Sequence, residues 1–304
     1  MSAGRPEAVD PAILAELALE AALPEPTLDE ARAGYAQTAD RLGGERAAVA
    51  QVQELAAGGV PVRAYRGIGA EPDGAPALVW FHGGGWVLGD LDGFDRVARQ
   101  LANAGRCVCV SADYRLAPEH PFPAAVEDAH AVVGWATGVG AAVLDVDPAR
   151  VAVGGDSAGG QLAAAAALAA RDRVAAQLLV YPALDPLAAS PAYAEFADGP
   201  MLTAATMRAF WAAYRGALPA DDAALDVLRA DLRGAPPARI AIAAHDPLRD
   251  DGRRYAELLA AAGVEVATTT YPSMTHGFLR WGGIVGEASD AIAWLTSALG
   301  TSAG

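Results

Sequence analysis

Ser157 stands in the run Gly154-Gly155-Asp156-Ser157-Ala158-Gly159-Gly160, between the apolar Val151-Ala152-Val153 and an alanine-rich helical stretch from Gln161 to Arg171. A serine on a tight turn between strand and helix sits at a strained backbone angle that lifts its hydroxyl clear of the sheet, and flanking glycines remove Cβ atoms that would clash. Gly-x-Ser-x-Gly recurs by chance, so its weight here comes from the predicted strand before it and the predicted helix after it. The chemistry on offer is nucleophilic attack on an acyl carbonyl. Asp156 has two readings, organising the turn by hydrogen bonding or, less readily, taking part in the chemistry.

Attack on a carbonyl creates a negative oxygen that preorganised donors must hold. A second glycine cluster can supply them: the predicted strand Ala77-Leu78-Val79-Trp80-Phe81 runs directly into His82-Gly83-Gly84-Gly85-Trp86. Alone, such a run is an ordinary surface turn. Beside Ser157 it becomes an oxyanion loop, with the amides of Gly83, Gly84 and Ala158 as the expected donors.

A serine hydroxyl needs a base, and the chain has five histidines. His82 is better placed to brace the glycine loop, His120 lies among prolines, and His130 falls in a helical pattern. His245 adjoins a better candidate for the acid. His276, in Ser273-Met274-Thr275-His276-Gly277-Phe278, follows the alternating segment Val264 to Thr270 and is the expected base. A carboxylate at another strand end must orient it and stabilise its protonated form. Asp246 follows the strand Ile240 to Ala244 and is followed by Pro247; Asp185, after Leu178 to Pro182, is its rival. Asp250 and Asp251 read as residues at the start of the next helix, where they complement its dipole.

These motifs resemble those of the hormone-sensitive-lipase family of esterases in the α/β-hydrolase superfamily, in its bacterial Gly-Asp-Ser-Ala-Gly branch. The resemblance rests on His82 to Gly85, Asp113-Tyr114-Arg115-Leu116-Ala117-Pro118-Glu119, Gly155 to Gly160, Asp246-Pro247-Leu248 and His276-Gly277-Phe278, in that order. It implies Ser157 as nucleophile with Asp246 and His276 as partners, Gly83, Gly84 and Ala158 as oxyanion hole, and no metal or organic cofactor. It also implies hydrolysis of carboxylic esters through an acyl-enzyme. An amidase or lactonase could use the same three residues, and a non-catalytic ligand-binding relative is the reading from another class. The presence of His276 favours an enzyme, since receptors related to this family have lost that histidine.

Composition agrees with these expectations. The formal charge of −15 and the absence of lysine leave no basic cluster for nucleic acid. Cys107 and Cys109 alternate on a predicted strand and read as buried, reduced thiols. Met1 to Leu14 lacks the pattern of a signal peptide, and the longest apolar run, Leu162 to Ala170, is far shorter than a bilayer span. A cytoplasmic protein with no membrane segment is expected. Its partner would be a small-molecule ester, with a homodimer open as an assembly.

Positioning such residues requires strands that end together. Strand-like runs at 60–65, 77–81, 107–112, 151–153, 177–181, 240–244 and 264–271 alternate with helical patterns, which predicts a mostly parallel sheet with helices on both faces, the α/β-hydrolase fold. Active sites of such sheets form at the carboxyl ends of the strands. Residues 46–187 and 231–304 would make the catalytic domain; residues 1–45 and 188–230 stand outside the alternation and, by the resemblance, form a helical cap. Trp86, Leu88, Met201, Phe210 and Trp211 are the large apolar residues expected to meet the substrate. Packing within the cap is the competing reading for about half of them.

Overall fold

The computed structural model describes residues 7–20 and 26–300. The ends of the chain, and residues 21–25 within the expected N-terminal cap segment, lie outside this description.

The first helices are α1 (Pro11–Glu20) and α2 (Leu28–Leu42). Thr27 and Glu30 form a capping box that starts α2, each side chain satisfying the other's backbone N–H. Arg32 then anchors α2 over the sheet edge, donating from Nε to the Val87 carbonyl at 2.9 Å and forming a two-pronged pair with Glu119.

The sheet begins with β1 (Gln51–Ala57), β2 (Val60–Arg66) and β3 (Ala75–Phe81), followed by α3 (Asp95–Ala104) and β4 (Val108–Ala112). Next come α4 (Ala124–Ala136), α5 (Val139–Val143), β5 (Val146–Asp156), α6 (Ala158–Ala169) and β6 (Gln177–Val180). The chain continues through α7 (Pro191–Glu195), α8 (Ala204–Arg215), β7 (Ala238–His245), α9 (Arg249–Ala261), β8 (Val266–Thr275) and α10 (Glu287–Thr296). The strand order is β1-β2-β4-β3-β5-β6-β7-β8. β1–β2 and β2–β4 pair antiparallel; all other pairs are parallel.

β3 is buried on both faces and its side chains alternate between two cores. Val79 and Phe81 join one core with α4, α6 and α9; Leu78 and Trp80 join the other with α3 and α10. Cys107 and Cys109 both fall in the second core as free, buried thiols. After β3 the chain moves to one neighbour, β4, and then returns to the other, β5. This switch opens a crevice between the carboxyl ends of β3 and β5, where the glycine loop and Ser157 lie. Among the described residues no helix is long and apolar enough to cross a membrane.

Candidate active site

β5 runs into α6 through Ser157 alone, and the turn is tight enough that its φ is 56°. Two glycines make that possible. A Cβ on Gly159 would lie 1.9 Å from the Phe81 carbonyl oxygen of β3, and one on Gly155 would lie 2.2 Å from that of Gly159 in α6, so no other residue fits either position without moving the backbone of β3 or α6. Ser157 is held by its own amide, which donates to the Val180 carbonyl of β6 at 2.9 Å.

His276 follows the last residue of β8 and Asp246 the last residue of β7, so the parallel pairing of these strands brings the two together. His276 Nδ1 lies 2.8 Å from Asp246 Oδ2, and His276 Nε2 lies 2.9 Å from Ser157 Oγ. Asp246 is fully buried, and its other oxygen accepts from the Leu248 amide at 2.8 Å, which fixes the carboxylate plane. The Tyr181 ring packs against the imidazole with centroids 4.6 Å apart. Asp185 is engaged elsewhere, accepting from the amides of Leu187 and Ala189 in the turn after β6. Asp250 and Asp251 do start α9, but they also tie down other segments: Asp251 accepts from the Leu184 and Asp185 amides and Asp250 from that of Ala192.

One expected oxyanion donor is directed elsewhere. The Gly83 amide donates to Asp156 Oδ1 at 3.0 Å, so its hydrogen is already spent, and Gly83 does not line the cavity above Ser157. Gly84 and Gly85 do line it. Their amides and that of Ala158, in the first turn of α6, donate to no acceptor among the described residues. Left-handed φ values of 121° and 62° at Gly84 and Gly85 turn the loop over the serine.

Asp156 therefore organises the site by bonding, and burial pushes its carboxyl up to about 6, against the opposing influence of Arg280 and the Gly83 N–H. His82 braces the loop from below: Nδ1 donates to the Gly83 carbonyl at 2.8 Å, the ring stacks against Tyr114 and Phe94, and burial lowers its pKa to about 4.

A cavity of about 180 Å³ rises from Ser157 and His276. Leu88, Met201 and Phe210 are among its walls. Trp86 and Trp211 are not. Their rings pack at a centroid distance of 4.3 Å, Trp86 also stacks on Tyr214 at 4.3 Å, and both tryptophans are buried in the core that contains α4, α6 and α9. Tyr35 of α2 and Met207 of α8 complete walls that sequence reasoning missed, together with Arg280 and Trp281 beyond His276. Arg280, a charge inside the apolar run Phe278-Leu279-Arg280-Trp281, was the available signal.

Residues 78–280 match a family model described as the alpha/beta hydrolase fold. The chain is 45% identical over 241 residues to the carboxylesterase NlhH of Mycobacterium tuberculosis, covering 76% of this chain and 75% of that protein. A hyperthermophilic esterase from Pyrobaculum calidifontis superposes with a TM-score of 0.88 at 34% identity, over 96% of this chain and 98% of that one. An esterase described as belonging to the bacterial hormone-sensitive lipase family superposes at 0.87 with 30% identity, again over 96% and 98%. This chain thus belongs to the α/β-hydrolase family, in its hormone-sensitive-lipase-like branch of esterases.

Proposed function

We propose that this protein is a serine carboxylesterase that cleaves short- to medium-chain carboxylic esters through an acyl-enzyme. The observation that carries the reading is the unbroken chain of contacts Ser157 Oγ, His276 and Asp246 at the floor of an apolar cavity. In this scheme His276 Nε2 takes the proton of Ser157 as the hydroxyl attacks the ester carbonyl, and Asp246 holds Nδ1–H so that the imidazolium is stabilised. The tetrahedral oxygen is received by the amides of Gly84, Gly85 and Ala158, aided by the N-terminal dipole of α6. His276 returns the proton to the leaving alcohol. Water, deprotonated by the same nitrogen, then releases the acid and regenerates Ser157.

Residues 1–45 and 188–230 act in this proposal as one cap over the site, a division supported by cavity walls drawn from both, Tyr35 from the first and Met201, Met207 and Phe210 from the second. Two further parts are residence in the cytoplasm and assembly as a homodimer, for which β8 offers an edge with no strand partner among the described residues, only its Ser273 carbonyl being engaged by the Asp10 amide; fractionation and light scattering read these out. The central test is labelling by a fluorophosphonate together with hydrolysis of p-nitrophenyl butyrate. Both are expected in the wild type and both are expected to vanish in Ser157→Ala; labelling that survives the substitution refutes the assignment.

A further inference from the structure

Arg280 is a charge for which ester hydrolysis has no stated use, and its nearest opposite charge on the cavity wall, Asp156, acts on it only at a distance, with no direct ion pair among the described residues. It closes the 3-10 turn Phe278–Arg280 just past His276, is 4% exposed, and shares the cavity with Ser157 and His276. Arginines buried this deeply are ordinarily paired, because an uncompensated guanidinium in a low-dielectric site is costly. Here no carboxylate among the described residues pairs with it. Nη2 donates to the Tyr35 carbonyl, the guanidinium carbon lies 3.6 Å from the Tyr35 ring centroid and 5.0 Å from that of Phe94, and Nε is buried without an acceptor. The rings and the single hydrogen bond fix the fork in place but leave it without a directly bonded anion and with Nε unpartnered.

The chemistry that fits is a planar, singly charged acceptor. A carboxylate matches a guanidinium fork, and it is small enough to share about 180 Å³ with an ester. We propose that Arg280 selects esters that carry a second, ionised carboxyl group, the carbonyl lying at Ser157 and the free carboxylate against the Arg280 guanidinium. This rests on the ester-hydrolase reading and names its substrate class. The reaction balances as ester hydrolysis: water cleaves the acyl–oxygen bond, giving a carboxylate, an alcohol and one released proton. Two charges oppose such a ligand. The net charge of −15 acts at long range and is screened within about 8 Å at physiological salt. Asp156 is the nearer one, and its Oδ1 already accepts the Gly83 N–H.

The carboxylate could lie on the acyl or the alcohol part, and the test has an arm for each. Specificity constants are measured for mono-p-nitrophenyl glutarate against p-nitrophenyl hexanoate, and for O-butyryl glycolate against ethyl butyrate. The wild type is expected to prefer the charged ester by at least about tenfold in one arm, which also locates the carboxylate. Arg280→Gln is expected to lose that preference by about tenfold or more, and Arg280→Lys to restore part of it. Should Arg280→Gln not fold, the wild type decides alone: glutarate must inhibit p-nitrophenyl hexanoate hydrolysis competitively and far better than 1-butanol. Turnover of both neutral esters with no preference for either charged one overturns the proposal and leaves the esterase reading intact. Equal preference in wild type and Arg280→Gln overturns it as well. No turnover of any of the four esters takes down both.

Discussion

Ser157, His276 and Asp246 work as a unit in the proposed scheme, so Ser157→Ala and His276→Ala are each expected to lower ester turnover by at least about a thousandfold. Asp246→Asn is expected to be far more damaging than Asp185→Asn, because only Asp246 touches the imidazole while Asp185 serves its own turn. Initial rates on purified, folded variants check this, and equal losses at the two aspartates would count against Asp246. A second prediction concerns Asp156. Burial raises its carboxyl from 3.8 to about 6, so between these values the folded state holds a proton that the unfolded chain has lost, and this contribution to stability falls as pH rises through about 6. Buried His82, lowered from 6.5 to about 4, acts in the opposite sense: the unfolded chain holds the extra proton, and stability falls as pH drops through that window. The two largely offset each other in the wild type. Asp156→Asn keeps an oxygen for the Gly83 amide and removes one side of the balance. Urea unfolding should then show the variant about 2 kcal/mol more stable at pH 7.5, and losing more stability than the wild type between pH 7 and 5. An unchanged pH profile would show that Asp156 does not ionise in this range.

At the scale of elements, the same kind of side chain does two different jobs. Trp86, in the loop after β3, is wholly buried between Tyr214 and Trp211 of α8, whereas Phe210, one residue earlier on that helix, is half-buried at the cavity wall. Trp86→Ala is therefore expected to destabilise the fold by about 3–5 kcal/mol while leaving the preferred acyl length unchanged. Phe210→Ala should cost less stability and move the preferred length upward. Urea midpoints and a p-nitrophenyl ester series on both variants separate these outcomes; a shift of chain length in Trp86→Ala alone would return Trp86 to the substrate wall.

For the molecule as a whole, two segments far apart in sequence enclose one finite space over the sheet. Each methylene added to an acyl chain gains about 0.8 kcal/mol only while the cavity has room. With about 180 Å³ available, specificity constants for p-nitrophenyl esters from acetate to palmitate should peak at short to medium chains, about four to eight carbons. Long-chain emulsions should be poor substrates, with no rise in rate at an oil–water interface. A maximum at palmitate would refute the enclosed pocket.

The alternation of apolar runs and helical patterns, with Ser157, His276 and Asp246 each just past a strand, was legible in the sequence because strand ends are punctuated locally, by glycine around Ser157 and by proline after Asp246. The sheet follows from it, except β1, an edge strand whose exposed Gln51 and Glu54 and partly buried Gln53 dilute the apolar signal. Backbone direction was not legible. Whether Gly83 or Gly85 faces the nucleophile depends on two left-handed φ angles and on a carboxylate 73 residues away, Asp156, that claims the Gly83 hydrogen. Nor could hydrophobicity say that Phe210 faces the cavity while Trp86 and Trp211 stack beneath it, since all three leave water either way. The meeting of Tyr35 with Arg280, 245 residues apart, exists only once α2 lies over the turn beyond β8. Sequence determined which groups could react, because reactivity belongs to residue type and local turn chemistry. Tertiary structure alone decided which donors and walls surround them, because those are set by long-range packing of helices over a sheet.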